Sequence, residues 1–363
     1  MRPAVMILFV LVLGQLAGCG GEGPANEKKV DPVTLKIHAW NGYVLEYREA
    51  FQRHAKSGYG LDVDIVFSST SGYESNVENI RGRAKAHLVS PANDLIAPLL
   101  REGLLLRIDL KKLSNFNQIN PVVLETRCHE VDGLPYAVPF NFGPYSIAYN
   151  RDKMPAPASY KVLWDRRYAK RVAIPGEYDT INIYMTALML GMPKTDLFDL
   201  DAEQLAAVED KLRELCRYQV GEYWRDNLDP ESRERVDVGM DWGIGVNLIN
   251  RKYEGNWGLA IPEEGATGWI DTWAISINAT DPKVLEAAYI WIDFMISAER
   301  QAQMARITSY GPINPYAGRY LTAEEKKLYY LNYPNFMKNL ILWQPLKPDV
   351  LKKYQEIWKR ARQ

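Results

Sequence analysis

The chain has 363 residues, of which 47% are hydrophobic and 25% charged, and its formal net charge is −1. A net charge near zero, with lysine and arginine scattered, excludes the concentrated basic surface that nucleic-acid binding requires. The length favours roughly two domains of ordinary size. Tyrosine and tryptophan, at 22 and 10 residues, are the amphipathic rings that commonly line sites for sugars, cations or peptides.

The N-terminal segment has the pattern of a bacterial export signal. Arg2 precedes an apolar run, Ala4 to Leu13, that is too short to span a bilayer comfortably. The following Leu16-Ala17-Gly18-Cys19 resembles a lipobox, which predicts cleavage before Cys19 and lipidation of its thiol; the alternative is an ordinary signal peptide with an incidental cysteine. We therefore expect a signal peptide over residues 1–18 and a polar tether over 19–32. The mature protein would be lipid-anchored to a bacterial membrane, in the periplasm or at the cell surface.

Strand-like and helix-like patterns alternate from Val33 onward. The predicted elements are strands at Thr34–Trp40 and Leu61–Phe67, a helix at Tyr73–His87, a short strand at Asp94–Ala97 and a helical turn at Leu99–Glu102. This alternation predicts an α/β fold with parallel strands, whose ligands bind beyond the carboxyl ends of the strands. Trp40-Asn41-Gly42-Tyr43 follows one such end, where Trp40 and Tyr43 supply rings and Gly42 allows close approach of the backbone to a ligand.

The middle of the chain is rich in proline and contains Tyr145–Asn150, which we interpret as the crossing from a first lobe into a second. Farther on, a loop that carries Glu177, Asp179 and Asn182 precedes a predicted helix at Ile183. Helix amino termini attract anions, so the residues alone favour a capping role for Asp179 over a ligand-binding one.

The next elements repeat the pattern of aromatic residues at strand ends. An amphipathic helix is predicted over Asp201–Tyr218, with its charged residues on a solvated face. Val236–Gly243 is a predicted strand that ends in the acid–aromatic pair Asp241-Trp242. Repeated aromatic residues at strand ends favour a ligand site over chance placement in the core.

Gly268–Ile277 is the stretch that says most about a ligand. Trp269, Asp271 and Trp273 have one parity, so an extended chain presents an aromatic, an anionic and an aromatic side chain on one face. A buried carboxylate flanked by rings suits an organic cation, because each ring adds about 0.5 to 2 kcal/mol by cation–π contact when water is excluded. The alternative is an edge strand with core tryptophans and a solvated aspartate.

The C-terminal part continues with helical patterns. Asp281-Pro282 is a strong helix start, with aspartate at the N-cap and proline at the first helical position, and the helix is predicted to run to about Ser297. Thr308–Pro315 is a turn that we interpret as a second crossing, and Val350–Arg362 is a predicted basic helix.

Cysteine and histidine usage indicates neither a metal nor a cofactor. Cys128 and Cys216 could pair in an exported protein, but two buried free thiols are favoured, because a fold of this length needs no disulfide. The four histidines are too dispersed for a metal-ligand spacing. We therefore predict no metal site.

The order of these segments resembles the spermidine/putrescine-binding subunits of bacterial ABC transporters, within the larger family of extracellular solute-binding proteins. The resemblance is carried by Trp40-Asn41-Gly42-Tyr43-Val44, Lys112-Leu113-Ser114-Asn115-Phe116, Leu163-Trp164-Asp165 with Tyr168 and Arg171, Gly239-Met240-Asp241-Trp242, Gly268-Trp269-Ile270-Asp271, Tyr310-Gly311-Pro312-Ile313-Asn314 and Trp343-Gln344. It implies a two-lobed periplasmic-binding-protein fold of type II, with the ligand in a cleft that closes by a hinge. The lobes are predicted as residues 33–143 with 272–312, and residues 144–271 with 313–363.

The resemblance also implies a set of ligand-binding residues. These are Trp40 and Tyr43 from the first lobe, Asp179, Asn182 and Trp242 from the second, Trp269 and Asp271 at the crossing, and Tyr310 and Gln344, which complete the site. In the family the rings sandwich the methylenes of the ligand and the carboxylates neutralise its ammonium groups.

Two departures from the family pattern concern the ligand. The family commonly has a carboxylate one helical turn beyond the acid that matches Asp179, and here that place falls on Asn182 or Ile181. The segment after Asp94 lacks the Ser/Tyr residues that usually line the first lobe. One fewer acid makes a highly charged polyamine a poorer match, unless Glu177 or Asp241 compensates.

The implied function is that of a monomeric extracytoplasmic binding lipoprotein. It would capture a polyamine or similar organic cation, of the putrescine/spermidine class, and deliver it to the permease of an ABC transporter. The alternative is a sensory binding protein that docks on a membrane signalling receptor. An enzyme is not predicted, because the chain has no Gly-x-Ser-x-Gly or His-Glu-x-x-His motif and no histidine in a cleft segment.

Overall fold

The computed structural model describes residues 31–177, 179–224, 230–332 and 336–363, apart from the side chains of Asp179, Pro230 and Lys252. The predicted signal peptide, the predicted lipidation at Cys19 and almost all of the predicted tether lie outside the described residues and stay predictions. Residues Pro32–Gln363 form one compact unit. Within the described ranges, no helix is long and apolar enough to cross a membrane.

Strands and helices alternate through most of the described chain, as the hydrophobic patterns predict. The strands are β1 (Val33–Ala39), β2 (Val63–Ser69), β3 (Leu88–Val89), β4 (Glu130–Val131), β5 (Leu134–Pro135), β6 (Val138–Asn150), β7 (Val172–Pro175), β8 (Val220–Trp224), β9 (Val238–Asp241), β10 (Trp257–Ala260), β11 (Thr267–Ile275), β12 (Gly311–Pro312) and β13 (Ile341–Leu342). The α-helices are α1 (Arg48–Tyr59), α2 (Tyr73–Arg81), α3 (Ile96–Arg101), α4 (Pro121–Glu125), α5 (Asp179–Met189), α6 (Ala202–Glu214), α7 (Pro230–Arg235), α8 (Ile244–Lys252), α9 (Pro282–Met295), α10 (Ala298–Thr308), α11 (Ala323–Leu328), α12 (Phe336–Asn339) and α13 (Pro348–Ala361).

The antiparallel strands β6 and β11 lie at the centre of the main sheet, whose order is β2-β1-β3-β11-β6-β9-β7-β8. On one side, β1 pairs in parallel with β2 and β3. On the other side, β7 pairs in parallel with β8 and β9. Two parallel strand groups, each with helical crossovers, are therefore joined through an antiparallel pair.

Two hydrophobic cores define the lobes. Lobe 1 is the part built around the core that contains Phe51, Trp273 and Trp291, and lobe 2 is the part built around the core that contains Tyr145 and Trp358. Strand β6 supplies side chains to both cores, so the crossing predicted at Tyr145–Asn150 is the second half of a longer strand.

The C-terminal segment also contributes to both cores. Met337 and Leu340 pack in the core of lobe 1, whereas Val350, Tyr354 and Trp358 pack in that of lobe 2. The residue boundaries predicted for the two lobes stay a prediction.

Two local predictions are wrong. The segment predicted as a strand at Asp94–Ala97 is helical, because a 3₁₀ turn at Asn93–Leu95 leads directly into α3. The contact with β11 is already made by the bridge from Ala92 to Asp271 and by the side chain of Asn93, which accepts a hydrogen bond from the backbone of Ile270, so the chain can turn into a helix from Asn93 onward. The helix predicted to reach His87 ends at Arg81, because the chain then turns to place Leu88–Val89 beside β1.

Several local predictions are confirmed. The carboxylate of Asp281 accepts hydrogen bonds from the backbone of Lys283 (2.8 Å) and Val284 (3.3 Å), so it caps α9 as expected. Cys128 and Cys216 are free thiols, as favoured, although both are half-buried rather than buried.

Candidate functional site

Asp271 lies in β11 between the two lobes and is only 3% exposed. Its Oδ2 atom accepts hydrogen bonds from the hydroxyl of Tyr43 and from the indole Nε1 of Trp269, the latter at 2.9 Å. Both donors are neutral, and within the described residues no lysine, arginine or histidine pairs with this carboxylate. Asp271 is therefore a buried acid without a cationic partner in the described chain.

The environment of Asp271 disfavours its charged form. Burial raises the pKa of Asp271 from its usual 3.8 to about 7, the hydrogen bonds from Tyr43 and Trp269 lower it, and the charge of Asp94 raises it further. Ionisation of an unpaired buried carboxylate costs free energy. A cation that binds next to Asp271 would offset this cost.

Four aromatic rings meet beside Asp271. Trp269 stacks on Trp343, with ring centroids 5.4 Å apart and an interplanar angle of 27°. The ring of Trp269 makes edge contacts with Trp242 at 5.6 Å and with Tyr310 at 5.1 Å. The structure thus brings three of the predicted site residues, Trp242, Trp269 and Tyr310, to one place next to the carboxylate. Such π-faces attract organic cations and pack against methylene groups.

The motif Trp343-Gln344 joins this cluster through its tryptophan. The ring centroid of Trp343 lies 6.1 Å from that of Trp242, and the same ring stacks on Trp269. Its indole nitrogen is buried without a partner among the described residues. Gln344, the member of the pair that the family resemblance implies, is exposed. A ligand-binding role of Gln344 stays a prediction.

The segment after β1 places Tyr43 against Asp271. Gly42 has a φ of 88°, which most other residues adopt only with strain, and the backbone N–H of Tyr43 bonds back to the carbonyl of Trp40 at 3.3 Å. This turn directs the buried Tyr43 toward the carboxylate. Trp40 is half-buried against the core of lobe 1, and its Nε1 atom has no partner within the described ranges.

Asn182 is fully buried in lobe 2. Its Nδ2 atom donates to the carbonyl of Pro175 at 3.0 Å, and its Oδ1 atom accepts from the hydroxyl of Tyr145 at 3.4 Å. These bonds tie α5 to β7 and to β6, which is a structural role. Asp179 begins α5, but its side chain lies outside the described residues, so its predicted role is not tested.

Asp241 does not supply the missing acid. Its Oδ1 atom accepts hydrogen bonds from the backbone of Gly243 at 2.7 Å and of Val246 at 3.3 Å, at the start of α8. Burial raises the pKa of Asp241 to about 6, although these amides lower it. The carboxylate is therefore engaged by backbone amides at the start of α8, the helix that follows it. Glu177, the other residue predicted to compensate, is exposed.

Trp273 is a core residue rather than part of a ligand-facing surface. It is fully buried in lobe 1, with ring centroids 5.3 Å from Phe140 and 5.8 Å from Trp291. Its ring also lies 6.4 Å from that of Tyr43, the residue that contacts Asp271. The prediction of a ligand-facing triplet is therefore wrong for Trp273, because the face it occupies continues into the core.

Two polar residues near Asp271 were not expected from the sequence. Asn141 of β6 is its direct partner in the sheet register, is fully buried, and makes no well-formed hydrogen bond from either amide atom to a described residue, although its amide lies near the Tyr43 hydroxyl. Asp94 has a buried Oδ1 atom that is likewise without a partner in the described chain. A single asparagine between Phe140 and Phe142 in a buried strand is a signal that could have revealed Asn141.

Comparisons with known proteins agree with this architecture. The family model for bacterial extracellular solute-binding proteins matches residues 90–334. The spermidine/putrescine-binding periplasmic protein of Salmonella typhimurium is 26% identical over 327 residues, which is 86% of this chain and 88% of that protein.

Solved structures show the same fold. The spermidine/putrescine ABC transporter substrate-binding protein PotD of Streptococcus pneumoniae has a TM-score of 0.75 at 21% identity and covers 91% of this chain and 100% of its own. The Tp0655 lipoprotein of Treponema pallidum has a TM-score of 0.75 at 17% identity, with 91% and 99% coverage. The predicted two-lobed periplasmic-binding-protein fold is thereby confirmed.

Proposed function

The chain belongs to the bacterial extracellular solute-binding proteins, and we propose that it captures a polyamine-class cation between its lobes and delivers it to an ABC permease. The proteins that it resembles bind substrates for transporters and are not enzymes. The observation that carries the ligand class is Asp271, a buried carboxylate with neutral hydrogen-bond donors and no cationic partner among the described side chains.

An alkylammonium ligand matches the chemistry of these surroundings. The ammonium group would pair with Asp271, while its methylenes would pack on Trp269 and the neighbouring rings. A neutral sugar would leave the buried acid without a counter-charge, which is unfavourable. The Salmonella relative is named for spermidine and putrescine, which supports the same class.

Ligand entry would require the lobes to separate. Trp269 and Asp271 are only 5% and 3% exposed, so a solute cannot reach them from the surface in this arrangement. The side chain of Asn93 ties the turn before α3 to the C-terminal segment by donating to the carbonyl of Trp343, which packs against lobe 2, at 2.7 Å. A hinge that opens the cleft and closes on the ligand fits the two-lobed fold.

The location and the partner are part of the proposal. The Salmonella relative is named as periplasmic and the Treponema neighbour as a lipoprotein, and the lipobox-like Leu16-Ala17-Gly18-Cys19 suggests a lipid anchor here. We expect a monomer held at a bacterial membrane through Cys19. Wild type should then partition with membranes, and Cys19→Ser should not; recovery of both in the soluble fraction would argue against the anchor.

Calorimetric titration tests the ligand class. The chain from Gly20 onward contains the whole compact unit and would be titrated with putrescine, spermidine, norspermidine, amino acids and sugars. We expect the polyamines to bind, and the amino acids and sugars not to bind. Asp271→Asn should weaken polyamine binding by about 2 to 5 kcal/mol, as for one partner of a buried charge pair. Unchanged affinity together with lower thermal stability would make Asp271 a structural group and favour an uncharged ligand.

A further inference from the structure

Asp94 is held beside Asp271 by contacts of its neighbours in the chain. Ala92 forms an antiparallel bridge with Asp271. The side chain of Asn93 accepts a hydrogen bond from the backbone of Ile270 at 2.9 Å and donates to the carbonyl of Trp343 at 2.7 Å. Two consecutive residues thus fix this turn against β11, and Asp94 follows them directly.

The carboxylate of Asp94 has no counter-charge in the part of the chain that the structure describes. Its Oδ1 atom is buried and makes no hydrogen bond there, and no lysine, arginine or histidine pairs with it. Burial raises the pKa of Asp94 to about 7. Its charge also raises the pKa of Asp271 in β11 and of Tyr184 in α5 of lobe 2. Asp94 therefore lies where β11 and both lobes meet.

A structural role does not account for this carboxylate. The buried carboxylate of Asp241 is bonded by backbone amides at the start of α8. Asp94 is half-buried: a backbone hydrogen bond lowers the pKa of its carboxyl, but its buried Oδ1 atom is bonded by no described group. An acid without a counter-charge costs the folded protein free energy, which a bound cation would offset. The charge of Asp94 raises the pKa of Asp271, so the two acids are close enough to interact.

We infer that Asp94 is a second cation-binding carboxylate of the cleft and that, with Asp271, it selects cations with two amino groups over cations with one. The inference rests on the proposed function. A diamine would give each carboxylate its own ammonium group. A monoamine would leave one acid as it is in the ligand-free protein, so the second ion pair would contribute nothing to its binding.

The test compares two ligands that differ only in the second amino group, butane-1,4-diamine and butan-1-amine. Both are titrated calorimetrically at pH 8 into wild type, Asp94→Asn, Asp271→Asn and Asp64→Asn, where Asp64 is an exposed residue of β2. Wild type should bind the diamine at least about tenfold more tightly than the monoamine. Asp94→Asn should weaken binding of the diamine by about 10- to 100-fold and leave the affinity for the monoamine within about threefold of wild type. Asp64→Asn should change neither.

The other outcomes are separable. If Asp94→Asn weakens both amines equally, the two acids hold one ammonium group and the selectivity inference is wrong; if it weakens neither, Asp94 is not in the site. In both cases the proposed function stands, provided that Asp271→Asn weakens both amines. If wild type binds neither amine, the proposed function itself fails.

Thermal unfolding without ligand shows whether Asp94→Asn acts through the fold. Removal of an uncompensated buried charge should leave the Tm unchanged or raise it, whereas loss of a structural carboxylate lowers it. If Asp94→Asn does not fold, Asp94→Ser, which is smaller and neutral, repeats both titrations.

Discussion

The hydroxyl of Tyr43 donates a hydrogen bond to the carboxylate of Asp271, which follows it by 228 positions in the chain. Tyr43 belongs to the core of lobe 1, where its ring meets that of Phe140 at 5.0 Å and that of Trp273 at 6.4 Å. A ring fixed by core packing therefore sets the orientation of a cleft carboxylate before any ligand binds. Such preorganisation reduces the entropy that binding must overcome.

Tyr43→Phe removes this hydrogen bond and keeps the ring. The bond lowers the pKa of Asp271, so its loss should make the acid easier to protonate and should weaken cation binding by about 1 to 2 kcal/mol. The loss should be larger at pH 6 than at pH 8, as measured by titration with putrescine. Tyr47→Phe is a matched control, because the Tyr47 hydroxyl is also buried in lobe 1 but has no described partner. Equal effects of the two substitutions would show that the bond to Asp271 is not involved.

The two tryptophans that flank Asp271 in β11 should behave differently. Trp269→Ala removes a ring of the cleft cluster, and we expect weaker amine binding, by about 1 to 2 kcal/mol, in a folded protein. Trp273→Ala empties a fully buried core position and should lower the free energy of unfolding by about 3 to 5 kcal/mol. Denaturant unfolding and calorimetry measure the two quantities. A larger stability loss for Trp269→Ala than for Trp273→Ala would reverse the assignment.

Elements with local signals could be predicted from the sequence. The start of α9 depends on hydrogen bonds that the carboxylate of Asp281 accepts from the backbone of Lys283 and Val284, and the spacing that makes them is visible in the sequence itself. Strand β11 could be predicted in the same way, because aromatic and β-branched residues dominate Trp269–Ile275. The strand-end pattern already indicated Trp242, and the family resemblance added Tyr310 and placed both rings in one site.

Features that depend on contacts between distant segments could not be predicted. Asn93 positions Asp94 by bonding to Ile270, 177 residues away, and no periodicity in either segment indicates such a contact. The two roles possible for Asp241 and Asp271, helix cap and ligand-binding group, are also indistinguishable in the sequence, since each acid lies within two positions of a tryptophan and three of a glycine. Only the folded backbone shows that amides engage the first, whereas side-chain donors engage the second.

Stability without ligand should respond to pH through Asp94. The pKa of Asp94 is about 7 in the folded protein and 3.8 is its usual value, so the folded state holds a proton that the unfolded state has already lost. Stability from this group is therefore present at low pH and is lost as pH rises from about 4 to 7. Asp94→Asn should raise the Tm by a few degrees at pH 8, and the Tm difference from wild type should disappear by about pH 4.

This pH test uses a difference between variants because other groups titrate in the same range. Burial lowers the pKa of His38 from its usual 6.5 to about 4. The stability that depends on neutral His38 is therefore lost as pH falls below 6.5, which is the opposite direction. His38 is unchanged in both proteins and cancels in the comparison. A Tm difference that does not vary between pH 4 and pH 8 would contradict the raised pKa of Asp94.

Arg251 links the two lobes and should stabilise the closed arrangement. It lies in α8, which packs in lobe 2, and its guanidinium donates hydrogen bonds to the carbonyl of Arg306 and to the hydroxyls of Ser309 (3.1 Å) and Tyr329 (3.5 Å). Helix α10, which ends at Thr308, packs in lobe 1 through Met304. The acceptors thus lie across the cleft from the donor.

Arg251→Ala should favour separation of the lobes. Because the side chain is exposed, we expect a cost of about 1 kcal/mol to the closed form, and hence amine dissociation that is roughly fivefold faster. Selectivity between butane-1,4-diamine and butan-1-amine should not change, since Arg251 contacts neither Asp94 nor Asp271 in the described structure. Small-angle scattering should show a larger radius of gyration than wild type without ligand and the same radius at saturation. Arg213→Ala, which removes an ion pair within α6, is the control; an equal dissociation rate for both variants would show that Arg251 does not hold the lobes together.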